Sequence, residues 1–318
     1  MTSPTRKPRV ACIGLSSWDR LIAVETYPEA GGTADVLQEV SAPGGTTTNT
    51  AVALARLGAE VLIATAIGDD DRGALVRQGL EAEGIATRHL TVKAGQVTEL
   101  ATMIVSGEPR DRTIFWEHGA EPVRHDRFDI PALFGADVLV LDVGDISLRR
   151  FLLDLPAHTS PTCRILGPLT YLANNDHVHA FDLALRHDVI VSNERDLLDV
   201  TGTWTLSDAV TALQHRMRGE TLRAAFVTRA AEGCLVITET ERQRVPALGV
   251  SVIDPTGAGD AFVGGIAWVM AQRWPLAQIG RFANAVGGLA CCSLGAQTSL
   301  PTLAEVEALL AANPEVPD

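Results

Sequence analysis

The sequence predicts an α/β protein: a three-layer α/β/α sandwich with a mostly parallel central sheet, plus a small β-sheet lid. Three observations predict it. Short apolar runs alternate with helix-length segments over most of the chain, the pattern of strands joined by crossover helices. The alternation stops at residues 100–105 and 112–116, which flank Gly107-Glu108-Pro109-Arg110-Asp111 with no room for a helix between, so they read as a hairpin outside the main sheet. Hydrophobic residues make up 46% of the 318, ample for one large core, and no repeat, linker or low-complexity stretch divides the chain. One domain over residues 1–318 is therefore expected, with a discontinuous β lid at about 15–43 and 97–120.

Each element has its own signal. Residues 10–15 form an apolar strand ending at Gly14, followed by Ser17, Trp18 and Asp19. Residues 21–24 and 36–40 read as short strands around a polar, glycine-rich turn, and Pro43-Gly44-Gly45 breaks the chain. A helix at 49–57 is stopped by Gly58, which tolerates the left-handed conformation wanted just past a helix end. A buried strand at 61–66 and Gly68-Asp69-Asp70-Asp71 lead into a helix ending at Gly84. After the hairpin come a strand at 138–142, a helix from about Ile146, a strand at 164–166, a helix at 176–186 and a strand at 189–192. Asn193 opens the next helix, with Asp196 three residues on; a helix at 207–218 and a strand at 224–228 follow. Residues 234–238 and 242–245 form a second hairpin. A strand end at 250–253 runs through a glycine turn into a long apolar helix. A helix introduced by Pro275 and rich in small residues comes next, and 302–312 is a terminal amphipathic helix.

The net charge of −13 argues against nucleic acid or an anionic membrane as partner, though not against an anion held by a local nest or by Mg²⁺. No stretch reaches the ~18 apolar residues of a membrane helix, and the apolar run after the polar head is too short for a signal peptide, so a soluble, cytoplasmic protein is expected. The five cysteines, Cys12, Cys163, Cys234, Cys291 and Cys292, show no C-x-x-C spacing and read as buried free thiols. His177 and His179 share no helical face, which argues against a histidine zinc site.

The chemistry concentrates in Asp254-Pro255-Thr256-Gly257-Ala258-Gly259-Asp260. Gly257 and Gly259 let backbone N–H groups crowd together, and the following helix points its positive end at the same place, which makes an anion-binding nest. Asp260 beside it is able to accept a proton from an attacking hydroxyl, the pairing that phosphoryl transfer needs. The same residues also fit an ordinary glycine turn with an acid in the first turn of a helix. No Walker A sequence is present and Lys7 and Lys93 are the only lysines, so phosphate would be held by backbone amides, Mg²⁺ and arginine. Gly44-Gly45 followed by Asn49 offers bare backbone and an amide suited to sugar hydroxyls, or simply a tight turn. Asp19 is a candidate for paired hydroxyls, or a solvated turn residue. Asn193 with Asp196 fits a helix cap, with or without a second role near a metal-bound water.

Together these pieces resemble the ribokinase-like (PfkB) carbohydrate kinase family over about residues 10–310. Gly44-Gly45-Thr46-Thr47-Thr48-Asn49-Thr50-Ala51, running into Ala55-Arg56-Leu57-Gly58, looks like the family's N-terminal signature; the Asp254 to Asp260 motif is similar to its C-terminal D-T-x-G-A-G-D signature. The resemblance implies Mg²⁺-dependent transfer of the ATP γ-phosphate to a hydroxyl. It implies Asp260 as catalytic base, the amides of Gly257, Ala258 and Gly259 as anion hole, and Asp19, Gly44, Gly45 and Asn49 as acceptor-binding residues. It implies nucleotide contacts from Asn193, Thr228, Gly233, Gly257, Gly259 and Asn284, the last beside the adenine. It further implies Mg²⁺ held through water by Asp196, and a monovalent cation, K⁺, near Asp254, Thr256, Gly295 and Ser299. Two departures stand out. The family's N-x-x-E is Asn193-Glu194-Arg195-Asp196 here, and its T-x-G-x-x-G loop is Thr228-Arg229-Ala230-Ala231-Glu232-Gly233, with alanine for the first glycine.

The neutral Thr46 to Thr48 lean toward a neutral sugar or polyol as acceptor, or a nucleoside; Arg110 and Arg112 temper this. Trp18, Phe115 and Trp116 are placed to stack on a ring or to pack in the lid. A sugar-binding regulator without chemistry is the alternative from another class. A homodimer joined through the lid is also expected.

Overall fold

The computed structural model describes residues 6–107, 111–155, 162–173 and 175–314. Among these, the main sheet has nine strands. In chain order they are β1 (Arg9–Gly14), β4 (Glu60–Gly68), β5 (Leu90–Lys93), β8 (Val138–Asp142), β9 (Arg164–Pro168), β10 (Val189–Asn193), β11 (Ala224–Thr228), β12 (Cys234–Ile237) and β13 (Arg242–Val245). Their spatial order is β13-β12-β11-β10-β9-β8-β1-β4-β5. All neighbours run parallel except β11–β12 and β12–β13, the antiparallel hairpin at one edge.

Alternation along the strands builds two cores. Val10 and Cys12 of β1, like Val138 and Val140 of β8, turn to one face. There they meet α1 (Thr46–Arg56), α2 (Asp71–Ala82), α8 (Ala258–Ala271), α9 (Leu276–Ala290) and α10 (Leu303–Ala312). Ala11, Ile13, Leu139 and Leu141 turn to the other. They meet α3 (Ile130–Phe134), α4 (Ile146–Asp154), α5 (His177–Ala184), α6 (Glu194–Thr201) and α7 (Leu206–Met217). A strand buried on both faces must be apolar at every position, and β8 is until Asp142.

The second sheet is β3-β2-β6-β7, built from β2 (Ser17–Val24), β3 (Val36–Gly44), β6 (Glu99–Ser106) and β7 (Asp111–Glu117). Two separated pieces of chain meet where β2 runs parallel to β6. The turn residues Glu108, Pro109 and Arg110 lie outside the described residues, so the sequence reading of Arg110 has no counterpart here.

Several boundaries differ from the sequence reading. Pro43 and Gly44 do not break the chain: they extend β3, paired with Trp18 and Ser17, because an edge strand tolerates a proline without an N–H. Helix α1 starts earlier, with Gly45 as its cap at φ 89°, so Asn49 sits a turn inside. No strand forms at 250–253: Val252 and Ile253 are exposed, and the backbone N–H groups of Ile253 and Asp254 donate to the Cys291 carbonyl instead. Pro275 caps α9 rather than lying in its first turn. The short α3 and β5 were not anticipated. Five free cysteines are found, four of them buried.

Candidate active site

Helix α8 is apolar all round, with every residue from Ala261 to Met270 buried, as expected of a helix inside a layer. Its neighbours come close because Gly264 and Gly265 have no side chain. A Cβ on Gly264 would stand 3.1 Å from the Ala53 methyl of α1, and one on Gly265 3.0 Å from the Ala283 backbone of α9. This close approach brings the first turns of α1 and α8 together. Thr50 Oγ1 donates to the Asp260 carbonyl at 3.2 Å, and Asn49 Nδ2 donates to Asp260 Oδ2 at 2.8 Å. Asn49 is itself held by Gln297, whose Nε2 reaches Asn49 Oδ1 at 2.9 Å and the Pro43 carbonyl at 2.8 Å.

Burial pushes the Asp260 carboxyl up to about 7. The Asn49 hydrogen bond works against this, Asp142 and Asp19 reinforce it, and Arg112 opposes it. Asp19 faces the same space from β2. Ser17 Oγ donates to its Oδ1 at 2.6 Å, and burial pushes its carboxyl up to about 6 against hydrogen bonds from Ser17 and the Gly45 amide. The carboxyl lies flat on Gly44: a Cβ there would stand 2.0 Å from Asp19 Cγ. The left-handed Gly45 is equally fixed, since a Cβ would meet the Leu15 carbonyl at 2.7 Å. Asp19, Gly44, Asn49 and Asp260 are thus brought to one place.

Gly257 turns into α8 at φ 79°, where a Cβ would meet the Ala296 carbonyl at 2.6 Å. Gly259 is different: a Cβ there would meet nothing within 4 Å. Ahead of the helix, Asp254 is buried. Its Oδ1 accepts from Thr256 N (3.0 Å) and Thr256 Oγ1 (2.6 Å), and its Oδ2 from Gly295 N (2.8 Å). Ser299 Oγ donates to the Ala290 carbonyl at 2.7 Å. From the second sheet, Arg112 Nη1 donates to Thr256 Oγ1 at 3.3 Å.

At the other side, Asn193 ends β10 and caps α6, accepting from the Asp196 N–H at 2.8 Å. The bond back differs from a capping box: the Asn193 side-chain amide donates to Asp196 Oδ2 at 3.0 Å, side chain to side chain. Burial and then Asp199 push the Asp196 carboxyl up to about 6. Thr228 ends β11 beside Asn193. Ala230 keeps a left-handed backbone, φ 47°, despite its Cβ, and Gly233 follows at φ 88°. Asn284 is buried on α9 with its amide donating to the Val245 and Pro246 carbonyls, both at 3.0 Å, so it braces the exit of β13.

Sequence reasoning missed Asp142. It ends β8 beside Gly14, is 2% exposed, has an Oδ1 without a partner, and is raised by burial against the Thr46 hydroxyl and the Arg149 charge. Its signal was present: a carboxylate closing an otherwise apolar strand. Gln297, the clamp on Asn49, was not singled out either. Among the described residues no cluster of three or more His, Cys, Asp or Glu could hold a metal. Asp254, a buried carboxylate surrounded by neutral donors, suits a monovalent cation close by. No helix of the described residues is long and apolar enough to cross a membrane.

A glycine-framed helix tip beside a half-buried carboxylate, above the C-terminal ends of a parallel sheet, is the arrangement of an α/β phosphotransferase. The sequence comparison resolves which kind: residues 7–303 match the pfkB family carbohydrate kinase profile, and the chain belongs to that family, whose members are phosphotransferases with an alcohol acceptor. It is similar to the ribokinase of Bacillus subtilis (strain 168), 26% identical over 306 residues covering 95% of this chain and 99% of the relative. It is similar also to fructokinase-1 of Oryza sativa subsp. japonica, 28% identical over 293 residues covering 85% and 89%. The fold matches the Arabidopsis thaliana ribokinase complexed with ribose and ATP, with a TM-score of 0.79 at 20% identity, covering 96% and 99%.

Proposed function

We propose that the protein is an ATP-dependent kinase that transfers the γ-phosphate to a hydroxyl of a small neutral sugar or polyol, with Asp260 as general base. The observation that carries this reading is the Asn49–Asp260 bond across two helix tips. It aims a carboxylate with a pKa of about 7 at the space bounded by Asp19 and Gly44. A base with a pKa near the working pH is ionised often enough to accept a proton and basic enough to hold it.

In the reaction the acceptor O–H gives its proton to Asp260 as its oxygen bonds to the γ-phosphorus. The bond from that phosphorus to the β–γ bridging oxygen breaks, and ADP leaves with the electron pair. The amides of Gly257, Ala258 and Gly259 would stabilise the charge on the transferring group, as preorganised donors do without reorganising. Asp19, Gly44, Gly45 and Asn49 would hold the acceptor's other hydroxyls. With Asp142 beneath, three carboxylates surround that space, which disfavours an anionic acceptor. The nucleotide would lie along Asn193, Thr228, Gly233 and Asn284. Mg²⁺, held through water by Asp196, would neutralise phosphate charge, and a monovalent cation near Asp254, Thr256, Gly295 and Ser299 would brace the loop. The second sheet would act as a lid, and its exposed apolar residues Val36, Leu37, Phe115 and Trp116 are available for contacts with a second copy of the chain.

The test is ADP formation measured against a panel of sugars, sugar acids, sugar phosphates and nucleosides, with Mg²⁺ and with or without K⁺. A neutral sugar or polyol should give the highest kcat/KM. A nucleoside at the top would redirect the assignment within the family. Sugar binding without ADP formation would overturn the kinase reading in favour of a binding regulator.

A further inference from the structure

A cavity of about 470 Å³ lies at the hairpin edge of the main sheet, on the face opposite Asn284. The hairpin's alternation explains its character. Cys234, Val236 and Val245 turn toward α9, where Gly280 lets them approach. Leu235 and Ile237 turn toward α7, and the residues paired with them in register are Arg244 and Arg242. Two guanidiniums therefore lie over the α7 face, beside Leu206 and Val210, where the neighbouring strand is apolar. Among the described residues, neither side chain has a hydrogen-bond or ion-pair partner, in a chain with 39 acidic residues.

Charge on an edge strand also discourages pairing between sheets. That role requires no shared cavity, whereas these two line one with a third. Arg229 lines the same cavity with its side chain 19% exposed, held by Glu194 at 3.4 Å and Glu232 at 2.6 Å. Three guanidiniums against two carboxylates leave the cavity cationic, and the volume is that of a small-molecule site. The planar, forked guanidinium matches the oxygens of a phosphate, and three of them line this cavity.

We infer that this cavity is a second anion site. It takes a small organic phosphate, with the phosphate on Arg242 and Arg244 and an apolar body on Leu206, Val210 and Leu235. Arg229 couples it to the turn at Asn193: its ion-pair partner Glu194 is the next residue, and Ala230, strained at φ 47°, follows Arg229 directly. An occupant that draws Arg229 from Glu194 shifts the segments that carry Asn193 and Thr228. The binding does not depend on the kinase reading; the coupling to ATP does.

The experiment is isothermal titration of phenyl phosphate into the full chain, alone and with a non-hydrolysable ATP analogue present, at fixed ionic strength. Inorganic phosphate and phenol serve as the separate halves of the probe. Phenyl phosphate should bind one per chain, more tightly than either half. Arg242→Gln/Arg244→Gln should weaken it at least tenfold while leaving thermal unfolding and basal kcat unchanged, and each single variant should weaken it by less. No binding, or equal binding to the double variant, would overturn the site. Binding that leaves the KM for ATP unmoved in wild type would overturn the coupling.

Discussion

The two halves of the proposed active site are built on different terms. On the acceptor side every residue is fixed by another part of the chain. Gly44 has no room for a Cβ against Asp19, Gly45 none against Leu15, and Asn49 is clamped between Gln297 and Asp260. On the nucleotide side the constraints from the chain are mixed: Gly233 has no room for a Cβ against the Val245 carbonyl and Asn284 is held by two carbonyls, but other positions are free. Gly259 faces open space, Ala230 occupies a backbone conformation that suits glycine, and among the described residues the Asp196 carboxylate accepts only from the Asn193 side chain that caps its helix. The two departures from the family pattern, Asp196 and Ala230, both fall on the second side. Substitutions on the first side should therefore disturb geometry, and on the second they should disturb binding.

The largest effect belongs to the carboxylate that joins the halves. Asp260→Asn should lower kcat by roughly 10²–10⁴-fold, the weight of a general base, with the acceptor KM little changed. Its stability should move the other way. The folded-state pKa of Asp260 lies above the ordinary 3.8, so its contribution is fully present below that value and is lost as pH rises through about 7. The uncharged amide should then leave the Tm at pH 8 equal or higher. Gly44→Ala comes next. The added methyl displaces the Asp19 carboxylate, and the KM for the acceptor should rise at least tenfold while that for ATP holds, with overpacking costing about 1–3 kcal/mol in chemical denaturation. Gly259→Ala should reverse that pattern: unfolding unchanged or improved by up to about 1 kcal/mol, because alanine favours a helix, with ATP binding and kcat impaired. A normal KM for ATP in that variant would break the distinction between the two sides. The smallest effect is Ala230→Gly, which relieves a left-handed alanine and should stabilise by about 1 kcal/mol, read as a raised Tm.

The same distinction explains what the chain reveals as text. The sandwich was legible because strands buried on both faces are apolar throughout and helices break at Gly58 and Gly84. The second sheet was legible because residues 100–105 and 112–116 leave no room for a helix. Asp19, Gly44, Asn49 and Asp260 could be picked out one by one, but their meeting depends on Gly264 and Gly265 drawing α8 against α1 and α9, which is a packing fact. Residues 250–253 look like a strand because apolar and β-branched residues favour one, yet the Cys291 carbonyl takes their N–H groups and β13 ends at Val245. Asp142 went unread because a carboxylate at a strand end is unremarked until its neighbours are known. Gln297 clamps Asn49 from 248 residues away, a separation no local pattern reports.

The central claim is that the Asp260 carboxylate, raised by burial, takes the acceptor's proton. The most direct test is the pH dependence of kcat/KM with the best acceptor, from about pH 5 to pH 9, in wild type and Asp260→Asn. In wild type the value should climb about tenfold per pH unit up to a bend near 7, more steeply below about 6 where Asp19 also protonates, and the residual activity of the variant should lack the bend. A wild-type profile that is flat through 7, or an identical bend in the variant, would contradict it.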